Sequence, residues 1–192
     1  VHTSDSKHQY HVSKNQLNRD FSAERIAQKW VSDLTYIKTA EGSVNLTVIL
    51  DLAHRSVVGW VLSETMRAED TSVAAWKMAL KRRRFKMPLL FDSERGVQDA
   101  CNEFRKQFRN LPVIQSMSGK GDCSDNAAAE SFSKRLKTEM VYHNKLESKK
   151  EAQLAVFEYK EMWYNRKRRH YALGFLTPEE FYKKLIISKM SA

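Results

Sequence analysis

Two cysteines in 192 residues provide no disulfide framework, and Cys101 and Cys123 lack the paired spacing of a zinc knuckle. Both are read as ordinary reduced thiols. No stretch approaches the roughly 18 consecutive apolar residues that a membrane-spanning helix needs. Residues 1–21 contain no apolar centre of the kind a secretory signal carries, so the expected location is the cytoplasm. Internal repeats and low-complexity tracts are also missing, which excludes solenoids and disordered tails. Acid is in short supply as well: 23 Asp and Glu face 33 Lys and Arg, a formal net charge of +10. An excess of that size fits a polyanionic partner, and a surface charged only for solubility is the plainer alternative.

What is present points to one packed domain. The chain is 42% hydrophobic and 29% charged, enough apolar material for a single α/β core and too little length for two. Residues 1–20 are polar and aperiodic and read as a loose arm or linker, 21–185 as the core and 186–192 as a tail. Strand-like apolar runs occupy 30–37, 44–51 and 56–62, joined by turns at Glu41-Gly42 and Ala53-His54-Arg55, which predicts an antiparallel meander. Helical periodicity follows over 68–81, capped near Asp70 or Thr71. Short buried strands are expected at 89–91 and 113–114, with a helix over 97–108 between them. A helix capped by Ser124 or Asp125 should reach Glu139. An amphipathic helix over 148–165 should turn Ala152, Val156, Tyr159, Met162 and Trp163 toward the core. The order is compatible with a mixed sheet covered by helices.

Several acidic residues stand where a core would not choose them. Asp33 interrupts the run Val31-Ser32-Asp33-Leu34-Thr35-Tyr36-Ile37, and aspartate is a poor strand former; taken singly, it also reads as a solvent-facing position. Asp92 and Glu94 follow the short strand at 89–91, at a carboxyl end where open α/β sheets place ligands, and residues two apart share a strand face. Glu130 shares a helix face with Asn126, Lys134 and Lys137. A carboxylate can hold a metal there while the amide and ammonium groups meet phosphate oxygens; a solvated stripe with a Glu130–Lys134 ion pair is the alternative. His54 and His143 are assigned no role. The run Arg166-Lys167-Arg168-Arg169-His170 fits either phosphate binding or a positive cluster at a helix C-terminus.

Over residues 18–181 the chain resembles the integrase-core transposases of bacterial insertion sequences, relatives of the retroviral integrases. The resemblance rests on Gln28-Lys29-Trp30-Val31-Ser32-Asp33-Leu34-Thr35-Tyr36-Ile37, on Leu50-Asp51-Leu52 leading to Val57-Val58-Gly59-Trp60, and on Ser93-Glu94-Arg95-Gly96-Val97-Gln98. It continues through Gln115-Ser116-Met117-Ser118, Asp125-Asn126-Ala127-Ala128-Ala129-Glu130-Ser131-Phe132, Leu136-Lys137-Thr138-Glu139 and Tyr164-Asn165-Arg166-Lys167-Arg168-Arg169-His170. Members of that family carry an Asp, Asp, Glu triad with thirty-odd residues between its last two members. Here 35 residues separate Glu94 from Glu130 (130 − 94 − 1), which favours Glu94 over Asp92 as the middle position.

The resemblance implies a ribonuclease-H-like fold of three antiparallel and two parallel strands flanked by helices. It implies a polynucleotidyl transferase in which Asp33, Glu94 and Glu130, with Asp92 as an auxiliary ligand, hold two magnesium ions that manganese can replace. It further implies DNA contacts by Asn126, Lys134, Lys137, Arg166, Lys167, Arg168 and Arg169, with element ends and target DNA as partners. Self-association in the working complex and a bacterial, nucleoid-associated location follow from it too. No upstream helix-turn-helix region of the family type is found, and the chain is expected to be one part of a larger polypeptide. Departures gather at the site. The family's usual His-Ser-Asp-Arg-Gly is here Asp92-Ser93-Glu94-Arg95-Gly96, Asp99 stands where tyrosine is usual, and Ser124 where tryptophan is usual. Two alternatives stay open: a nuclease of the same fold that cuts without joining, and, supported by the altered Asp92-Ser93-Glu94 segment, an inactive core that only binds DNA or partner subunits.

Overall fold

The computed structural model describes residues 8–119 and 123–190. Its sheet is built from β1 (Lys29–Thr39), β2 (Gly42–Asp51), β3 (Val57–Ser63), β4 (Leu89–Ser93) and β5 (Val113–Met117), in the order β3-β2-β1-β4-β5. Both pairings among β1, β2 and β3 are antiparallel, and β1–β4 and β4–β5 are parallel. The three-plus-two sheet expected from the sequence is the observed one. Gly42, at φ +119°, makes the first turn, a backbone region that glycine enters without steric cost.

β1 and β4 are largely buried on both faces, and β1 contributes side chains to each. On one face Trp30 joins Ile49, Val58, Leu89, Phe91, Trp76 of α1 (Ser72–Arg82) and Phe104 of α3 (Asn102–Arg105). Trp76 is the hub of this layer, with ring centroids 5.2 Å from Phe91, 5.6 Å from Trp30 and 5.0 Å from Phe108. On the other face Val31 and Ile37 pack with Leu46 and Val48 under Phe132 and Leu136 of α4 (Ala127–Glu139) and Val156 of α5 (Lys149–Glu158). The last helix, α6, spans Pro178–Met190 and so crosses the boundary at 185 expected for a tail. Among the described residues no helix is long and apolar enough to cross a membrane.

Four local expectations are corrected. Residues 97–108 form two single-turn helices, α2 (Val97–Ala100) and α3, broken at an extended Cys101, and end in a 3-10 turn over Lys106–Phe108; the break lies beside Gln98, Asp99 and Ala100, which are buried in succession. The 148–165 helix is capped by Ser148 but widens into a π-turn over Tyr159–Tyr164. Lys160, four after Val156, is buried on the same face, and the wider turn beyond it leaves the expected core residue Trp163 47% exposed, with Met162 exposed beside it. Neither Asp70 nor Thr71 caps α1 with its side chain; Thr71 Oγ1 donates to the Arg67 carbonyl at 2.6 Å. The fourth concerns the polar arm, whose described residues 8–20 are docked: Leu17 is 2% exposed in the core, and the backbone N–H groups of Gln16 and Leu17 donate to Ser116 Oγ at 2.8 and 3.1 Å. This segment therefore meets the edge strand β5 at Ser116, a contact that limits edge-to-edge association.

α1 lies close on β3 at Gly59, where a Cβ would meet the Ala75 carbonyl oxygen at 2.3 Å and Ala79 Cβ at 3.0 Å. Gly59→Ala is therefore expected to lower stability by about 1–3 kcal/mol through overpacking, read as a lower urea midpoint with an unchanged slope. An unchanged midpoint would show that this close approach does not set the helix position.

Candidate active site

Three elements bring the acidic residues to one cavity. In the parallel register Val31 lies beside Asp92, so two residues further on Asp33 and Glu94 approach the same level on adjacent strands. Helix α4 crosses over this point and contributes Glu130 from its first turn. The resulting cavity, about 500 Å³, is lined by Asp33, Glu94, Glu130, Ser133, Lys134 and Lys137, with Tyr36 and Tyr142 at its rim.

The electrostatics match that convergence. Asp33 is 7% exposed, and burial pushes its carboxyl above the usual range against the opposing pull of Ser133, Lys137 and the Leu34 amide. Ser133 Oγ donates to Asp33 Oδ2, which fixes the carboxylate plane. Glu130 is raised by partial burial and then by the charges of Asp33 and Glu94. Lys137 Nζ sits 4.7 Å from the centroid of the Tyr36 ring, a cation–π contact that steadies its ammonium at the cavity wall.

Other residues expected at the site lie elsewhere. Asp92 is fully buried, does not line the cavity, and accepts from Ser118 Oγ at 3.2 Å through Oδ2. Burial raises it to about 6, and its Oδ1 has no hydrogen-bond partner among the described residues. Asn126 is buried too, donating to the Ser32 carbonyl at 2.9 Å, so it ties α4 to β1 and has no surface for DNA. Asp125, expected as a helix cap, instead accepts from Arg19 (2.8 Å), Asn15 (2.9 Å) and the Gly119 N–H (2.8 Å). The expected Ser124 alternative lies where side-chain surroundings are outside the described residues. Arg168 is tied to Glu139 at 3.0 Å and Arg169 donates to the Phe175 carbonyl at 3.0 Å. With exposed Arg166 and Lys167, these residues are absent from the cavity lining.

Sequence reasoning misses Ser133, Tyr36 and Tyr142 of the cavity lining. Ser133 is three after Glu130, within the same helix face, a periodic signal that could find it. Tyr36 sits an odd number of residues from Asp33, where strand alternation points away, and no pattern marks it. Asp99, which the sequence singles out only as a departure from the family, lies wholly buried behind the cavity, accepting from Ser72 Oγ at 2.6 Å.

The donor set suits a hard divalent cation, since carboxylate oxygens of three chain segments face one space whose negative charges repel each other. Among the described residues no three His, Cys, Asp or Glu side chains are gathered tightly enough to hold an ion.

The integrase core domain family matches residues 23–123, and a second integrase core domain description matches 112–178. The chain belongs to the integrase core domain family. Transposase InsF for insertion sequence IS3A of Escherichia coli (strain K12) is 40% identical over 173 residues, covering 90% of this chain and 60% of that protein. The IS600 uncharacterized 31 kDa protein of Shigella sonnei is 38% identical over 182 residues, 95% of this chain and 66% of its own. The integrase core thus spans about 60% of the length of the InsF relatives it matches. Its fold is that of ribonuclease-H-like cores. The HTLV-2 integrase catalytic core domain in complex with magnesium gives a TM-score of 0.61 at 14% identity over 81% of this chain and 95% of that one. The catalytic domain of Mos1 mariner transposase gives 0.62 at 12% identity over 83% and 76%.

Asp99 yields a signed pH dependence. Burial, ahead of the opposing Ser72 bond and the charges of Glu94, Asp33 and Asp92, raises it from 3.8 to about 7. Between those values the folded state binds more protons than the unfolded one, so stability falls as pH rises through the window and the loss is complete above it. Metal-free Asp99→Asn should melt on the order of 5 °C above the parent at pH 8, with the two curves converging toward pH 4. A gap independent of pH would rule out a charged Asp99 as its source.

Proposed function

We propose that this chain is the catalytic core of a DNA transposase, a polynucleotidyl transferase that cleaves and joins DNA strands at the Asp33, Glu94 and Glu130 cavity. The observation carrying this reading is the meeting of three carboxylates from β1, the end of β4 and α4 on one open cavity rimmed by Lys134 and Lys137. Asp33, Glu94 and Glu130 would hold magnesium, or manganese in its place, which when bound polarises the phosphoryl oxygen and activates the attacking water or 3′-hydroxyl.

The protein's own groups do the positioning. Ser133 holds the Asp33 carboxylate in one orientation, and burial of Asp33 keeps bulk water from competing for it. Lys137, steadied over Tyr36, and Lys134 present ammonium groups to the phosphates of the bound strand. Element ends and target DNA are the partners in this reading, self-association builds the working complex, and reading of the ends falls to a helix-turn-helix region outside this chain. A bacterial cytoplasmic location fits a partner of that kind. Glutamate at position 94, one methylene longer than the aspartate usual there, favours a second reading as a silent core that binds DNA or subunits only, because magnesium demands near-ideal geometry at about 2.0–2.1 Å.

Calorimetric titration of Mn²⁺ together with a strand-nicking assay tests both. In the first reading the parent binds Mn²⁺, and Glu130→Gln abolishes binding and lowers nicking by more than about a hundredfold, beyond the usual cost of losing a ligand's hydrogen-bond partner. A fully active Glu130→Gln protein refutes the assignment. In the second reading the parent binds no Mn²⁺ and Glu94→Asp restores it.

A further inference from the structure

A second concentration of titratable groups lies at the β3 edge of the sheet. There, a bowl of about 300 Å³ opens between the start of β3, the end of α1, the π-turn after α5 and the first turns of α6. Val57 pairs with Leu50, Leu50 with Val31 and Val31 with Asp92, so the bowl is set apart from the Asp33 and Glu94 row sideways, across β2, rather than along the strands.

The walls are tied together. Asn165 Oδ1 accepts from the Val57 N–H at 3.2 Å, and the Asn165 carbonyl accepts from the Glu179 N–H at 3.0 Å, joining β3, the π-turn and α6. Arg82, Arg83, Arg166 and Lys183 line the bowl with Glu161 and Glu179. Glu161 is held by Arg82 at 2.7 Å and by the buried Lys160; Glu179 faces Lys183 at 3.1 Å and Arg166 at 3.5 Å. Burial lowers Lys160 to about 8, so it remains largely protonated at neutral pH. Five cations therefore share two carboxylates, leaving three positive charges. Deeper in, Asp51 is engaged by the Ala27 and Ala53 N–H groups and lies 3.6 Å from His54.

Arg83 is the member with least to do within the fold. Its guanidinium carbon lies 4.4 Å from the Tyr182 ring centroid, Nη1 donates to the Arg82 carbonyl at 3.1 Å, and Nε is buried with no hydrogen-bond partner among the described residues. A planar donor group held over an aromatic ring is preorganised for a phosphate.

We propose that this bowl is a second phosphate-binding site, which takes a DNA backbone phosphate at the β3 edge of the core, to the side of the carboxylates. The polymer is favoured over a small phosphate ligand because exposed cations adjoin the lining residues in the chain. Lys81 and Arg84 flank Arg82 and Arg83, with Lys86 beyond; Lys167 follows Arg166, and Lys184 follows Lys183. That DNA is the polymer rests on the proposed function; the cationic bowl itself does not.

The test is fluorescence anisotropy of a labelled random-sequence duplex across a salt series, for the parent, Arg83→Gln/Lys183→Gln and Arg83→Lys/Lys183→Arg. The glutamine pair should bind several-fold more weakly, with a log-affinity versus log-salt slope reduced by about 0.9 for each phosphate that is no longer neutralised. The charge-preserving pair should stay near the parent. Lys183→Glu, at a side chain 68% exposed, repeats the test without disturbing packing and should weaken binding too. Unchanged duplex affinity and slope in both Lys183→Glu and the glutamine pair would overturn the proposal. So would saturable quenching of tyrosine fluorescence by inorganic phosphate that both these variants lose while duplex binding is unaffected. Failure of the proposed function shows separately, as Mn²⁺ binding or nicking indifferent to Glu130→Gln.

Discussion

A carboxylate on the central strand of a sheet covered on both faces can persist only if something above it satisfies it, and that requirement organises the molecule. Asp33 cannot turn to solvent, because β1 runs between β2 and β4. Ser133 meets it from α4, and Asn126 pins the start of the same helix to the neighbouring Ser32 carbonyl. These two bonds, one at each end of a helical span of seven residues, fix the height and rotation of α4. Glu130 lies between them and can face only the cavity. The buried acid thus sets where the helix sits, and the helix sets where the remaining acid points.

Much of this is legible in the residues and some of it is not, for reasons that differ from place to place. The strands and the lone aspartate in β1 show plainly, since apolar alternation and a misplaced charge are local signals. The spacing that chooses Glu94 over Asp92 agrees with the cavity, which Glu94 lines and Asp92 does not. What fails is whatever depends on a partner distant in sequence. Asn126 shares a helix face with the lysines by its spacing, yet its burial under β1 removes it from any ligand. Arg168 belongs to a cationic run, but Glu139 from another helix claims it. The arm reads as loose because its fixing groups are backbone N–H donors and a serine a hundred residues away, which composition does not reveal.

The charges are also sorted by position in the fold. Acidic groups gather where β1 and β4 approach α4, and a surplus of base lines the bowl at the β3 edge. A polyanion drawn by the net charge of +10 would meet attraction at the bowl and repulsion at the carboxylates until cations neutralise them. In the proposed function, metal loading and nucleic-acid engagement would therefore be coupled through simple Coulomb forces.

The π-turn at Tyr159–Tyr164 absorbs one residue more than ordinary winding needs. Each residue of an α-helix turns the next by about 100°, and the wider turn takes up the surplus while Ala152, Val156, Lys160 and Tyr164 all stay buried. Losing one residue between Lys160 and Tyr164 would restore ordinary winding and leave both on the buried side. A further added residue would find no wider turn to absorb it and would carry Asn165 away from the start of β3. Natural variation in this stretch should therefore accept a deletion more readily than an insertion.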